Sequence, residues 1–158
     1  MASTLELLRR LTAEKVEYVL VGGMAAIAHG SASVTEDVDV CVRFDLETLR
    51  GVFRAVAPLN PRQRMHPARP PLGDSPEAFV GNQNLDLVTD EGILDLLGEI
   101  VAVGGYEQVA ANAIRLDLGG FTCQVLGLED LITCKRALGR PKDRQVVSEL
   151  ELVRQRLR

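Results

Sequence analysis

Hydrophobic residues recur along this chain at helical and at strand spacings, which predicts a mixture of helices and strands. Leu5, Leu8 and Leu11 follow one another at three-residue steps, as on the buried face of an amphipathic helix. The same reasoning predicts helices over Thr4–Lys15, Met24–Ala28, Leu46–Val56, Tyr106–Ala113, Leu128–Leu138 and Pro141–Arg158. Short apolar or alternating runs predict strands over Tyr18–Val21, Val38–Val42, Leu85–Val88, Ile114–Leu118 and Phe121–Leu126. We therefore expect an α+β fold, a small mixed sheet flanked by helices, in a single domain over residues 1–158.

A glycine pair and a proline-rich segment interrupt this pattern. Gly119-Gly120 lies between the last two predicted strands and is typical of a hairpin turn. Residues 57–84 contain six of the seven prolines. Because proline lacks an N–H donor and restricts the residue before it, we expect no regular structure there. A loop of that length in a small domain is either a functional flap or partly disordered.

Composition excludes several classes of protein. Hydrophobic residues make up 46% of the chain and charged residues 25%, as in soluble globular domains. The longest apolar run, Val19–Ala28, is about half of a membrane span, and no signal-peptide pattern opens the sequence. The three cysteines form no CxxC pair, which disfavours a disulfide framework or a zinc site. We expect a cytoplasmic protein with no membrane partner.

The charge is unevenly distributed. The segment Lys135–Arg158 carries eight basic and three acidic residues, a net +5, so the rest of the chain carries -9 of the total of -4. Such a segment could meet a polyanion or a nucleotide phosphate, or it could be an ordinary solvated helix face.

Asp37 and Asp39 are the first candidates for chemistry. Residues i and i+2 of a strand point to the same face, so the two carboxylates would emerge side by side. Adjacent like charges repel unless a cation lies between them, and Mg²⁺ prefers a few carboxylates together with phosphate oxygens. The alternative is a pair of solvent-facing acids at the start of an edge strand.

Two further features strengthen the metal-site hypothesis. Gly22-Gly23 follows an apolar strand, where glycines let backbone N–H groups approach a phosphate closely, although a plain tight turn would look the same. Asp86 lies between apolar neighbours in a predicted strand. If that strand lies beside the one that carries Asp39, Asp86 faces the same site, and three acids could hold two metals for phosphoryl transfer.

These residues resemble a known family. The run Val21–Gly30, followed by Thr35–Val40, is similar to the polymerase-β-like nucleotidyltransferase superfamily, in particular its small bacterial minimal or AbiEii-like members. That superfamily has Gly-Gly or Gly-Ser, a spacer, then acidic-apolar-acidic; here thirteen residues separate Gly23 from Asp37. The stretch Leu128–Asp143, with Lys135 and Gly139-Arg140-Pro141-Lys142-Asp143, resembles the tail of such proteins.

The resemblance implies a function and a set of roles. Asp37, Asp39 and Asp86 would be the catalytic and metal-binding acids, with Mg²⁺ or Mn²⁺ as cofactor. Gly22, Gly23 and Lys135 would bind an NTP, whose NMP moiety is transferred to a hydroxyl. Acceptors in the superfamily include RNA ends, protein side chains and small antibiotics, and its small bacterial members often act in toxin–antitoxin or phage-defence pairs.

Some positions depart from the family pattern and keep an alternative open. Ser33 replaces an arginine that relatives often carry, and Gly23 replaces a serine that would supply a phosphate-binding hydroxyl. The alternative function is a non-catalytic nucleotide-binding or antitoxin-like partner protein of the same fold. Lys135 could also be a surface lysine of its helix. His29 fits a structural histidine better than a catalytic base, and Cys41 is a poor ligand for Mg²⁺.

Overall fold

The apolar runs of the chain pair into one mixed sheet. The computed structural model describes residues 4–158. Its strands are β1 (Val19–Val21), β2 (Val38–Cys41), β3 (Arg62–Gln63), β4 (Asn84–Thr89), β5 (Gly92–Leu97), β6 (Glu99–Ile100), β7 (Gly104–Gly105), β8 (Ile114–Asp117) and β9 (Thr122–Val125). Seven of them form one sheet in the order β3-β4-β5-β2-β1-β9-β8, and β6 pairs with β7 separately. The pairs β1–β9 and β2–β5 are parallel and the other neighbours are antiparallel, so the sheet is mixed as predicted.

Helices flank this sheet. They are α1 (Thr4–Ala13), α2 (Gly22–Ala28), α3 (Leu46–Val56), α4 (Tyr106–Ala111), α5 (Leu128–Leu138) and α6 (Pro141–Arg156). The Asp45 carboxylate accepts from the backbone N–H of Thr48 at 2.8 Å and so caps the start of α3. Gly139 takes the left-handed conformation, with φ of 64°, that ends α5. The predicted α+β fold is confirmed; the prediction of one domain over residues 1–158 includes three residues that lie outside the described range.

The central strands are buried because they are covered by these helices. All three residues of β1 are buried, and Val38 and Val40 of β2 are fully buried. Helix α1 packs on α3, while α5 packs on α6 and also contacts α2. Asp39, between the two valines, therefore lies on a strand whose position is fixed by the core. Among the described residues, no helix is both long enough and apolar enough to cross a membrane.

The proline-rich segment is more ordered than the sequence predicts. Two short 3₁₀ helices, Ala57–Leu59 and Pro76–Phe79, and the strand β3 lie within residues 57–84. The segment folds back on itself, since the Gln63 N–H donates to the Pro70 carbonyl at 2.9 Å. Strand β3 also pairs with β4 at the edge of the sheet, where Arg62 lies opposite Val88. The expectation of no regular structure was therefore wrong here, because pairing with the sheet edge offsets the low local propensity.

The strand β5 is also absent from the sequence prediction. It forms a hairpin with β4, in which Thr89 lies opposite Gly92 across the two-residue turn Asp90-Glu91. It then continues alongside β2 in parallel. The insertion of β5 between β4 and β2 decides which acids are neighbours.

Candidate functional site

Asp39 is held by β2, and Asp37 lies just before that strand. Both side chains are half-buried, whereas Val38 and Val40 are fully buried. The i and i+2 spacing therefore places the two acids on the opposite face from the valines, as the alternation predicts. The negative charge of Asp37 is close enough to affect the titration of Asp39.

A row of three carboxylates crosses the sheet. Asp39 on β2 lies opposite Asp95 on β5, and Asp95 lies opposite Asp86 on β4. Paired residues of neighbouring strands project to the same face, about 5 Å apart. Asp86 is thus two strands from Asp39. The sequence-based hypothesis required β4 to lie beside β2, and in the structure it does not. Asp95 occupies the position between them.

Burial and like charges act on the Asp39 carboxyl. Burial, followed by the charges of Asp95 and Asp37, raises its pKa to about 6, against the weaker opposing effects of Lys135 and Arg64. Burial also raises the pKa of Asp95, although its hydrogen bond from Arg64 opposes the rise. Excess negative charge of this kind attracts a cation.

Gly22 lies very close to the Asp39 carboxylate. A Cβ atom at Gly22 would lie 2.2 Å from Asp39 Oδ2, and the residue has φ of +66°. Only glycine meets both conditions without strain. Gly22 and Gly23 begin α2 itself rather than forming a separate turn before it. The start of this helix therefore lies directly against the carboxylate.

Lys135 approaches the same place from α5. Its Nζ lies 3.5 Å from Asp143 Oδ1, and the Lys135 side chain is 12% exposed and that of Asp143 1%. Asp143 also accepts from Arg140 Nε at 2.6 Å and from the Arg140 backbone N–H at 3.2 Å. These contacts, the Arg140 side-chain bond above all, hold the pKa of Asp143 below its usual range. The buried Asp143 carboxylate thus holds both Arg140 and Lys135 in place, and Lys135 lies at the site.

These groups surround one polar cavity of about 460 Å³. Five of the predicted site residues line it: Gly22, Gly23, Asp37, Asp39 and Lys135. Lys142, Arg140 and Asp143 complete the wall on the side of the C-terminal helices. Asp86 and Asp95 do not line it. The cavity wall therefore combines Asp37 and Asp39 with three cations, Lys135, Arg140 and Lys142.

A second cavity adjoins the first. It has a volume of about 210 Å³, and its wall includes Gly22, Asp39 and Lys135 together with apolar residues such as Leu131 and Ile100. An apolar group can thus be accommodated beside the polar cavity.

The weaker candidates have structural roles. His29 Nε2 donates to the Leu126 carbonyl oxygen at 2.7 Å, which ties the end of α2 to the end of β9. Cys41 is fully buried, and burial raises the pKa of its thiol to about 11. A protonated, buried thiol is a poor ligand for a hard cation.

The donor set of Asp37 and Asp39 fits a cation that also binds a substrate. Mg²⁺ commonly takes one or two protein carboxylates and completes its shell with phosphate oxygens and water. Within residues 4–158, no three acidic, histidine or cysteine side chains lie close enough together to enclose an ion by themselves. The cation would therefore take the rest of its ligands from substrate oxygens and water.

Sequence reasoning missed Asp95 and Arg64. Leu94-Asp95-Leu96 repeats the apolar-acidic-apolar pattern of the Asp86 strand and could have indicated a second acidic strand. Arg64 Nη2 donates to Asp95 Oδ2 at 2.6 Å. No local signal reveals this contact, because it depends on how the proline-rich segment folds onto the sheet.

Comparison with known proteins identifies the fold. No family model matches this chain, and no curated protein matches it in sequence. A solved structure from Thermotoga maritima, named as a candidate nucleotidyltransferase, matches 91% of this chain and 87% of its own, with a TM-score of 0.56 and 16% sequence identity. The chain therefore has a nucleotidyltransferase-like fold.

Proposed function

We propose that this protein transfers a nucleoside monophosphate from an NTP to a hydroxyl acceptor, with Mg²⁺ or Mn²⁺ as cofactor. The observation that carries the proposal is the close approach of Gly22 to Asp39, where a Cβ atom at position 22 would overlap the carboxylate, in a cavity that Lys135 also lines. A backbone that can approach phosphate, paired acids and a lysine are the components that phosphoryl transfer requires.

The roles follow from position. Asp37 and Asp39 would hold the cation, which supplies positive charge to the triphosphate when it is bound. Lys135, held by Asp143, would bind phosphate oxygens as a point charge. The acceptor oxygen forms a bond to the α-phosphorus, the bond from that phosphorus to the bridging oxygen breaks, and pyrophosphate leaves. Asp95, which lies opposite Asp39 and one strand nearer to it than Asp86, would take the hydroxyl proton.

Thr35 offers the hydroxyl that Gly23 lacks. A Cβ atom at Gly23 would meet the Thr35 side chain, with Oγ1 at 3.3 Å, and Thr35 lines the polar cavity. The Thr35 hydroxyl thus lies close to the place where a serine at position 23 would project. This proximity supports a catalytic site in spite of the Gly-Gly sequence.

We expect Thr35→Val, which keeps the shape of the side chain, to weaken NTP binding by about three- to tenfold, the value of one hydrogen bond. Calorimetric titration with the preferred NTP and Mg²⁺ measures this. Thr122→Val, an exposed position on β9, is the matched control and should leave the affinity unchanged. Equal affinities for Thr35→Val and the wild type would remove Thr35 from the phosphate site.

We expect Lys135→Met to weaken NTP binding by about 10- to 100-fold, because it removes a charge-assisted contact with the triphosphate. Arg136→Met is the matched control, since Arg136 instead pairs with Glu151 at the surface. Asp143→Asn should shift affinity in the same direction through the loss of its hold on Lys135. If Lys135→Met binds NTP like the wild type, the lysine only braces the helices.

The proposal as a whole is tested by calorimetry with ATP, GTP, CTP and UTP, each with and without Mg²⁺, followed by transfer assays with radiolabelled NTP. We expect binding of at least one NTP that depends on Mg²⁺ and is lost in Asp39→Asn. Asp90→Asn, in the exposed β4–β5 turn, is the control. Metal-independent binding, or none, would overturn the proposal.

The runner-up is a non-catalytic nucleotide-binding or antitoxin-like partner protein. It is favoured by the absence, within residues 4–158, of a ready-made group of three metal ligands. It predicts NTP or partner binding with no label transferred to any RNA, protein or small-molecule acceptor. Co-purification of a tightly bound partner, together with unchanged binding in Asp39→Asn, would favour it over the enzyme.

A further inference from the structure

Strand β8 is the last strand on one side of the sheet. It pairs with β9, and in the described part of the chain no strand pairs with its other side. A free edge of this kind presents unpaired backbone N–H and C=O groups, to which another strand can bind. The candidate site on β2 lies three strands away in the sheet order, so this edge is separate from it.

The hydrogen bonds of the β8–β9 hairpin decide which residues of β8 face this free edge. Next to the turn, the Leu118 N–H donates to the Phe121 carbonyl at 2.9 Å. Because hydrogen-bonded and non-hydrogen-bonded pairs alternate along an antiparallel ladder, Leu116 also bonds to β9. The backbone groups of Arg115 and Asp117 therefore point outward, to the free edge.

The side chains at these two outward positions carry opposite charges and are exposed. Arg115 forms no ion pair within residues 4–158, and Asp117 Oδ1 accepts from the Gly119 N–H at 2.8 Å. Ile114, on the opposite face of the strand, is 43% exposed. A strand that binds this edge therefore meets a basic residue, an acidic residue and an uncovered apolar residue.

The charges select one register for pairing with β8 of a second copy. In an antiparallel pair, outward-facing residues lie opposite one another. They can be matched as Arg115 with Arg115, as Asp117 with Asp117, or as Arg115 with Asp117. The first two matches place like charges directly opposite each other, which destabilises a sheet. The third places opposite charges together on both sides of a twofold axis.

We propose that this protein forms a symmetric dimer by antiparallel pairing of β8 with β8 of a second copy, with Arg115 opposite the partner's Asp117. In this register the Leu116 residues of the two copies meet on the axis, and Ile114 lies opposite the partner's Leu118. The run Ile114–Leu118 is thus complementary to itself, because apolar residues meet apolar ones and basic residues meet acidic ones. The two sheets join into one, and neither copy keeps a free β8 edge.

Sedimentation velocity over a series of protein concentrations tests the dimer, with no nucleotide or metal added, so that the result is independent of the proposed function. We expect Arg115→Asp alone, or Asp117→Arg alone, to raise the dissociation constant of the dimer by at least about tenfold, because like charges then face each other on both sides of the axis. An equimolar mixture of these two variants should dimerise again, since one edge then carries two acids and the other two arginines. The double variant should also dimerise. Arg144→Asp and Asp90→Arg, exposed positions outside β8, are the matched controls and should behave as the wild type.

A wild type that stays monomeric at every concentration overturns the inference, and so do single variants that dimerise as the wild type does. Loss of the dimer in both single variants, with no recovery in their mixture, overturns it as well. Circular dichroism establishes that each variant is folded. If a single variant does not fold, the double variant decides: a dimer supports the inference, and a monomer overturns it.

Discussion

Asp39→Asn is expected to abolish metal-linked NTP binding and, at the same time, to make the metal-free protein more stable at neutral pH. The substitution removes one of the two acids that would hold the cation, so binding and transfer should fall by at least about 100-fold. It also removes a half-buried charge that the fold places near Asp95 and Asp37. The repulsion among these acids, which a bound cation would neutralise, therefore lowers the stability of the metal-free protein.

The dependence of this effect on pH has a definite sign. The pKa of Asp39 is raised to about 6 in the folded protein, above its value of about 3.9 in an unfolded chain. The folded state therefore favours the protonated form, and its stability is highest at low pH with respect to this group. As the pH rises from about 4 to about 6, the free energy of unfolding should fall by about 1–3 kcal/mol, after allowance for solvent screening. Above that range it should level off.

Thermal or urea unfolding from pH 4.5 to 8 measures both parts. Wild type should lose stability across this window relative to Asp39→Asn, and Mg²⁺ should raise the unfolding temperature of the wild type alone. Asp90→Asn, exposed in its turn, should follow the wild type. Parallel stability curves for wild type and Asp39→Asn would show that the charge of Asp39 is not costly in the fold.

Gly22→Ala is expected to have the second large effect, a loss of about 2–4 kcal/mol of stability together with the loss of NTP binding. The new Cβ would overlap Asp39 Oδ2 at 2.2 Å and would also sit at φ of +66°. A left-handed backbone costs a non-glycine residue about 1–2 kcal/mol, and displacement of the carboxylate adds to that.

A control glycine separates these two causes. Gly119 has φ of +80° in the β8–β9 hairpin turn, and a Cβ there meets nothing within 4 Å. Gly119→Ala should therefore show the backbone cost alone and leave NTP binding intact. In an Asp39→Ala background, Gly22→Ala should approach the cost of Gly119→Ala, because the overlapping oxygen is gone. Equal costs in the wild-type background would mean that the Gly22–Asp39 contact has no energetic weight.

Most of the elements follow from local sequence. The ranges predicted for α3 and α5 agree with the structure, since capping by Asp45 and the Gly139 stop are local signals. The predicted β8–β9 hairpin also forms, with Asp117 opposite Thr122 across the turn. Such features depend on residues a few positions apart, which a pattern along the chain contains.

The strands β3 and β5 could not be placed in the same way. β3 is two residues long in a proline-rich segment, and only its pairing with β4 makes it a strand. β5 pairs with β4 through a short hairpin, but its other partner is β2, which comes from a distant part of the chain and brings Asp39 beside Asp95. Sheet order is a property of long-range pairing, which local propensity does not encode.

The sequence by itself determined that Asp37 and Asp39 lie on one face of a strand and that a glycine pair allows close approach of the backbone, because side-chain alternation and glycine geometry are local. It did not determine their surroundings. The insertion of β5 placed Asp95, and not Asp86, next to Asp39. The folding of the proline-rich segment onto β4 brought Arg64 to the acids. Which charges meet depends on strand order and on contacts between distant segments, so only the tertiary structure decided the electrostatics of this site.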